Sequence, residues 1–151
     1  MTTAGLITLF GSGETSPGAQ KIYHALFSQM SEAPRVAILE TPAGFEPNSD
    51  YVAVQVAAYL QKRLQNFRPA TTVVPARKRG TAFSPDAPAI VAPLHSANVL
   101  FMGPGSPSYA VRQLIDSLAW HTLRARHRLG ASLIFSSAMV LAASRHTLPI
   151  Y

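Results

Sequence analysis

Short apolar runs alternate along the chain with longer segments in which apolar residues recur every three or four positions. The runs predict five buried strands: residues 6–10, 35–39, 71–74, 98–102 and 131–135. The clearest helical segment is 50–67, where one face carries Val52, Val56, Tyr59, Leu60 and Leu64. Strands that alternate with helices predict a three-layer α/β domain with a mainly parallel sheet and right-handed crossovers. We expect residues 1–151 to form one such domain.

Weaker sequence patterns predict the other helices and the edge strand of the sheet. Ser16, followed by Pro17, predicts the start of a helix that runs to about Met30. Three further segments have helical character: residues 89–97, 109–115 and 116–129, with a bend near Asp116. We expect the last strand to be an exposed edge, and because exposed edges invite pairing, we expect a homodimer; the alternative is that the natural partner segment of this edge is missing.

Composition narrows the class of protein. Apolar residues make up 48% of the 151 residues and charged residues 13%, which is typical of a globular chain. The longest apolar runs are far shorter than a membrane span, and the first residues lack the basic start of a signal peptide. The absence of cysteine excludes disulfides, a thiol nucleophile and cysteine-based metal sites. We therefore expect a cytoplasmic protein that does not bind a membrane.

The net charge of +6 does not by itself indicate nucleic-acid binding. One basic cluster, Arg77–Arg79, lies in a loop bounded by proline and glycine. A second set, Arg124, Arg126 and Arg128, is spaced by two within a predicted helix, so its members fall on different sides. Solvated surfaces are the main interpretation and an anionic partner is the alternative. No nucleic-acid partner is predicted.

Function in a parallel α/β sheet gathers in the loops after the carboxyl ends of the strands. Four loops have this place in the predicted fold: residues 11–18, 41–49, 103–108 and 136–137. Three of them are rich in glycine or serine, as a site built from backbone N–H groups requires.

The first loop, Gly11-Ser12-Gly13-Glu14, invites comparison with a dinucleotide-binding turn. That turn would need glycine at position 16, where the chain has Ser16, although Glu40 lies where a ribose-binding acid would be. No Gly-Lys-Ser/Thr phosphate loop occurs. A nucleotide-binding module remains an alternative, and no cofactor is predicted.

A serine pair separates the last predicted strand from a helix over residues 138–144. A serine at such a turn is where a nucleophile elbow would hold its hydroxyl, with the helix start behind it to stabilise negative charge. The usual Gly-x-Ser-x-Gly pattern is absent, since Phe135 and Met139 occupy its glycine positions around Ser137. The other interpretation is that Ser136 or Ser137 caps the helix.

The remaining candidates for chemistry are a glycine loop and the histidines. Gly103 and Gly105 could donate N–H groups to an oxyanion, whereas Pro104 has no N–H; the alternative is that this loop needs glycine only for its shape. His146 lies nine residues after Ser137 and could serve as a base, but no histidine has spacing that marks it as one. No pair of histidine or acidic residues suggests a metal site.

Taken together, the loops resemble the dipeptidase E and cyanophycinase serine peptidases, which have the class I glutamine amidotransferase-like fold, a relative of the flavodoxin-like folds. Phe10–Glu14 resembles their first glycine-rich loop, and Gly103–Leu114 resembles their Gly-Gly-Asn loop with the helix after it. Phe135–Val140 falls where they have Gly-x-Ser-Ala-Gly-Ala. The order and spacing of the three motifs match over nearly the whole chain.

The resemblance implies a role for each motif. Ser137 would be the nucleophile, the N–H groups of Ala138 and of the Gly103–Gly105 loop would form the oxyanion hole, and Gly11 and Gly13 would border the substrate. The substrate would be a small peptide or amide, cleaved through an acyl-enzyme. The family carries its histidine, and often its acid, well downstream of the serine. The resemblance therefore implies that residues 1–151 are the N-terminal part of a longer fold with an incomplete triad, or that His146 substitutes as base.

Two hypotheses about function follow. The first is a serine hydrolase completed by further chain or by a partner subunit. The second is a non-catalytic domain of the same fold that binds a small molecule or a partner, with Ser137 as a helix cap.

Overall fold

A computed structural model describes residues 3–147 of the chain. Its sheet has five strands, all parallel. They are β1 (Ile7–Phe10), β2 (Arg35–Leu39), β3 (Ala70–Val74), β4 (Val99–Met102) and β5 (Ser132–Ser136). Each lies within a residue or two of its predicted bounds. The predicted α/β class with a parallel sheet is confirmed.

The strand order corrects one prediction. The order is β1-β5-β4-β2-β3, so β5 lies inside the sheet between β1 and β4 and is not an edge. The edges are β1 and β3, and Phe10 of β1 stands in register with Ser136 of β5. The apolar run of β5 fits this position because an internal parallel strand is buried on both faces.

Six helices cover the two faces of the sheet within the described residues. They are α1 (Ala19–Phe27), α2 (Ser49–Arg63), α3 (Pro88–Val91), α4 (Pro107–Leu114), α5 (Leu118–Arg128) and α6 (Ala138–Ala142). Short 3-10 turns over Gln65–Phe67 and Ala92–His95 continue α2 and α3. The predicted bend between α4 and α5 is present, and Asp116 there has a φ of 54°.

The predicted start of the first helix is wrong. Ser16 does not cap α1, which begins at Ala19 after Gly18 and has no side-chain cap. The N–H of Ser16 instead bonds the carbonyl of Gly13, so residues 13–16 form a separate turn. The carbonyl of Ser16 accepts a hydrogen bond from Tyr59, which fixes this turn against α2.

Each face of the sheet packs against its own helices. On one face α1 and α2 bury a cluster that includes Tyr23, Phe27 and Leu60. On the other face α3 to α6 bury a cluster that includes Leu100, Phe135 and Met139. Both sides of β4 and β5 are therefore covered, and their carboxyl ends are rigid supports for the loops that follow.

Most of the loop arginines have structural partners, which corrects the interpretation of Arg77–Arg79 as a solvated patch. Arg77 Nε donates to Glu40 Oε2 at 2.6 Å, and this bond raises the pKa of Arg77. Arg79 pairs with Asp86 and also donates to the carbonyl of Ile115. Lys78, between them, is exposed.

Among residues 3–147, no helix has the length and apolar character that crossing a bilayer requires.

Candidate active site

Ser137 has a strained backbone at the turn between β5 and α6. Its φ is 51° and its ψ is −118°, a combination that L-residues other than glycine adopt only under strain. Such strain is typical of the strand-to-helix turn that exposes a nucleophilic serine. Met139 stands where glycine is usual, and its side chain turns away from the loop into the core beneath α6.

The side chain of Ser137 does not cap the helix that follows it. Ser106 and Ser117 cap α4 and α5, and each accepts a backbone N–H three residues on, at 3.2 and 3.1 Å. Ser137 occupies the same position before α6 but makes no side-chain cap bond. Its hydroxyl is thus left for another role, which counts against the capping interpretation.

The neighbouring serine ties the turn to the first loop. Ser136 is fully buried, and its Oγ donates to Glu14 Oε2 at 2.7 Å across 122 residues of sequence. The N–H of Ser137 donates to the carbonyl of Phe10 at 3.0 Å. Two hydrogen bonds, to Glu14 and to Phe10, therefore hold Ser136 and Ser137 at the strand-to-helix turn.

Glu14 is itself fixed by a buried tyrosine. The hydroxyl of Tyr23 donates to the backbone carbonyl of Glu14 at 2.9 Å, and Gly13 before it has a φ of 76°. Burial, and next the nearby charge of Glu14, raise the pKa of Tyr23 well above its usual range. Tyr23 is therefore a neutral hydrogen-bond donor at every pH near neutrality.

The loop after β4 is seated on the loop after β2. Gly105 has a φ of 147°, and a Cβ there would lie 2.0 Å from the carbonyl oxygen of Pro42. The same oxygen accepts the N–H of Ser106 at 2.9 Å. Only glycine fits this approach, so the loop needs Gly105 for its shape, whatever its N–H does. Gly103 packs on the ring of Phe101, where a Cβ would lie 2.9 Å away.

These loops border one open cleft of about 340 Å³, here called the Ser137 cleft. Its seven lining residues are Gly11, Gly105, Pro107, Ser137, Ala138, Val140 and Leu141. Four of the predicted site residues thus meet at the carboxyl edge of the sheet. Among residues 3–147, no partner takes up the N–H of Ala138 or of Gly105. Both are therefore free to donate to a negatively charged oxygen.

The other predicted site residues lie elsewhere. Gly13 shapes the turn of the first loop, and Gly103 borders a small crevice beside Glu40. His146 is exposed beyond α6, and within the described residues no side-chain hydrogen bond joins it to Ser137. The other described histidines lie on helices or 3-10 turns away from the Ser137 cleft.

Glu40 is not available to bind a ribose. Only 3% of it is exposed, and its Oε2 accepts both Arg77 Nε and the hydroxyl of Ser49, the latter at 2.7 Å. This partly buried ion pair joins the loop after β2 to the loop after β3. The nucleotide-binding alternative therefore loses the acid on which it depended. The described residues also contain no cluster of three potential metal ligands.

Sequence reasoning did not identify the contacts of Glu14 or Pro42. Glu14 was visible as an acid in a carboxyl-end loop, but its partner Ser136 is on the last strand, and adjacency depends on the strand order. The carbonyl of Pro42 has no side-chain signal at all. Both contacts arise from the way neighbouring loops meet at one edge of the sheet.

Two solved structures share this fold. A peptidase from an acI-B1 Actinobacterium superimposes with a TM-score of 0.78 at 22% identity, over 95% of this chain and 58% of that one. The Putative Peptidase E Protein of Listeria monocytogenes EGD-e gives a TM-score of 0.62 at 15% identity, over 92% and 61%. The predicted resemblance to the dipeptidase E group is thus confirmed at the level of the fold.

The chain spans about three fifths of the length of these two structures. No protein-family model matches it, and no curated protein does.

Proposed function

We propose that the chain is the nucleophile-bearing part of a serine hydrolase that cleaves peptide or isopeptide bonds through an acyl-enzyme. The single observation that carries the proposal is the backbone of Ser137, strained at a strand-to-helix turn, with a hydroxyl that makes no cap bond to α6 within residues 3–147. The two structures of the same fold are peptidases by name, which supports the reaction class.

In the proposed reaction Ser137 Oγ bonds to the carbonyl carbon of the substrate. The hydroxyl proton passes to a base and then to the amine, which leaves as the C–N bond breaks. The N–H groups of Ala138 and Gly105 stabilise the oxyanion of the tetrahedral intermediate. Water then hydrolyses the serine ester and restores the hydroxyl.

The base is the incomplete part of this mechanism. His146 is the histidine nearest in sequence to the cleft, and it must move into reach of Ser137 to act. We propose that the base is His146 or a different histidine, supplied either by further chain or by a second subunit. Labelling of His146→Gln separates these sources, because only the first predicts loss of reactivity.

A fluorophosphonate probe tests the proposal directly. We expect one covalent adduct, located on Ser137 by peptide mass spectrometry and lost in Ser137→Ala. Ser144→Ala is the matched control, since Ser144 is an exposed serine just beyond α6. A folded protein that stays unlabelled at saturating probe would contradict the proposal, provided the longest natural form of the chain is used.

The second candidate is a non-catalytic domain that binds a small molecule. The observation in its favour is that no side-chain base contacts Ser137 within residues 3–147. It predicts thermal stabilisation by a ligand that survives Ser137→Ala unchanged, whereas the hydrolase predicts loss of the adduct in that variant.

A further inference from the structure

We infer that the Ser137 cleft accepts an uncharged, apolar side chain or acyl group of the substrate and disfavours an acidic one. This inference rests on the proposed function, because it assigns the substrate class of the same site. It follows from the chemistry of the cleft wall and from the bonds that hold Arg77, Arg79 and Arg126 elsewhere.

The wall of the cleft carries no charge. Six of its seven residues are glycine, proline, alanine, valine or leucine, and the seventh is Ser137 itself. Polar atoms other than the serine hydroxyl are therefore backbone groups. A carboxylate placed here would lose water without gaining an ionic partner, which is costly, whereas an apolar group would be favoured by burial.

None of the seven residues that line the cleft is basic, and three arginines of the chain are held elsewhere. Arg77 is bonded to Glu40 and Arg79 to Asp86. Arg126, on the last turn of α5, donates to the carbonyl of Ala97 at the amino end of β4. That is the opposite edge of the sheet from Ser137, so Arg126 supplies no cation to the cleft.

The size of the cleft limits the group that it takes. A volume of about 340 Å³ is at the lower end for ligand sites and suits one apolar side chain or a short acyl chain. Leu141, at the mouth, is 43% exposed, which leaves apolar surface for a substrate to cover.

Two probes with the same fluorophosphonate group test the inference. One carries a neutral alkyl chain and the other a chain of equal length that ends in a carboxylate. We expect the neutral probe to label Ser137 at least about tenfold faster. The positive net charge attracts the acidic probe over long range, so this preference must come from the cleft and should grow with salt. Equal rates, or faster labelling by the acidic probe, would overturn the inference.

Leu141→Arg should reverse the order of the two probes by placing a cation at the mouth. Leu129→Arg is the matched control, because Leu129 is 62% exposed but precedes β5 at the amino edge of the sheet. The control should keep the wild-type ratio. An unchanged ratio in Leu141→Arg would show that another surface sets the preference, which also overturns the inference.

A binding experiment separates failure of this inference from failure of the hydrolase proposal. If neither probe labels the wild type, the nucleophile assignment fails, and specificity is measured by saturation-transfer NMR with hexanamide and adipic acid monoamide. We expect hexanamide to bind the wild type and not Leu141→Arg. Equal or tighter binding of the acidic amide to the wild type would refute the apolar assignment on its own.

Discussion

At the residue scale, the backbone conformation that presents the Ser137 hydroxyl lowers the stability of the fold. A residue at a φ of 51° and a ψ of −118° stores strain that the surrounding bonds must offset. The N–H bond to Phe10 and the buried contact of Ser136 with Glu14 supply that constraint. Stability and reactivity at this position are therefore expected to oppose each other.

Ser137→Gly should be more stable than Ser137→Ala by about 1 kcal/mol, because glycine adopts this conformation without a Cβ clash. Both variants lack the hydroxyl, so the comparison isolates the backbone strain. Urea unfolding followed by circular dichroism gives the two free energies of unfolding. A glycine variant that is the less stable of the two would refute strain at this turn.

Glu14 is expected to position the elbow through Ser136. Glu14→Ala should cost about 1–3 kcal/mol, since it leaves a buried hydroxyl without its acceptor, and should slow fluorophosphonate labelling of Ser137. Glu14→Gln should keep most of the stability and most of the labelling rate, because its amide oxygen can accept the same hydrogen bond from Ser136.

The control for Glu14 is Glu32→Ala, which removes an exposed pair with Arg35 and should change little. Labelling rates are compared at temperatures where all variants are folded. If Glu14→Ala labels at the wild-type rate, Glu14 stabilises the fold without positioning the serine.

At the element scale, the two edges of the sheet differ in protection. β3 lies between Pro69 and Pro75, and proline cannot extend a ladder. Residues 3–13 around β1 carry neither proline nor charge, and Ile7 and Leu9 are 55% and 60% exposed on one face. The edge that invites pairing is therefore β1, not the last strand.

We expect a homodimer through β1 in which two copies pair antiparallel. Leu9→Lys should convert it to a monomer, because a charge on an edge strand opposes pairing. Tyr51→Lys is the control, since Tyr51 is equally exposed but lies on α2. Light scattering at micromolar concentration gives the mass, and a monomeric wild type would contradict the expectation.

The elements themselves could be predicted because their signals are local. The apolar run of β2 gave its bounds residue for residue, and the spacing of Val56 and Leu60 gave α2. The start of α1 could not be predicted from Ser16, because a hydrogen bond to Gly13 turns the chain before the helix begins. The site was predicted as a set of loops, but not the contacts between them.

The reason lies in the strand order. Sequence shows which residues end a strand, whereas the meeting of Glu14 with Ser136 requires β1 to lie beside β5. The strain of Ser137 is likewise invisible in sequence, because its local residues are equally typical of a helix cap.

At the scale of the whole molecule, the buried phenol of Tyr23 makes the free energy of unfolding depend on pH. Burial raises the pKa of Tyr23 above that of an unfolded tyrosine, which is about 10. The unfolded chain thus loses this proton at lower pH than the folded one. The stabilisation is fully present below that value and is lost as pH rises through the higher folded pKa.

The free energy of unfolding should therefore fall as pH rises above about 10. Tyr23→Phe should be less stable at neutral pH, since it loses the bond to Glu14, but should show a shallower decline. Tyr51→Phe is the control, because Tyr51 is exposed. Urea midpoints measured across the alkaline range test this, and parallel declines in Tyr23→Phe and wild type would refute it.

The bond between Ser137 and Phe10 also has a consequence for biosynthesis. The ribosome delivers Phe10 long before Ser137, because β2, β3 and β4 lie between the two residues in the sequence. β2, β3 and β4 can assemble while β5 is still being made, whereas β1 has no neighbour until β5 emerges. A nascent chain therefore carries an unpaired first strand, and Ser137 can reach its strained conformation only after β5 has emerged and paired with β1.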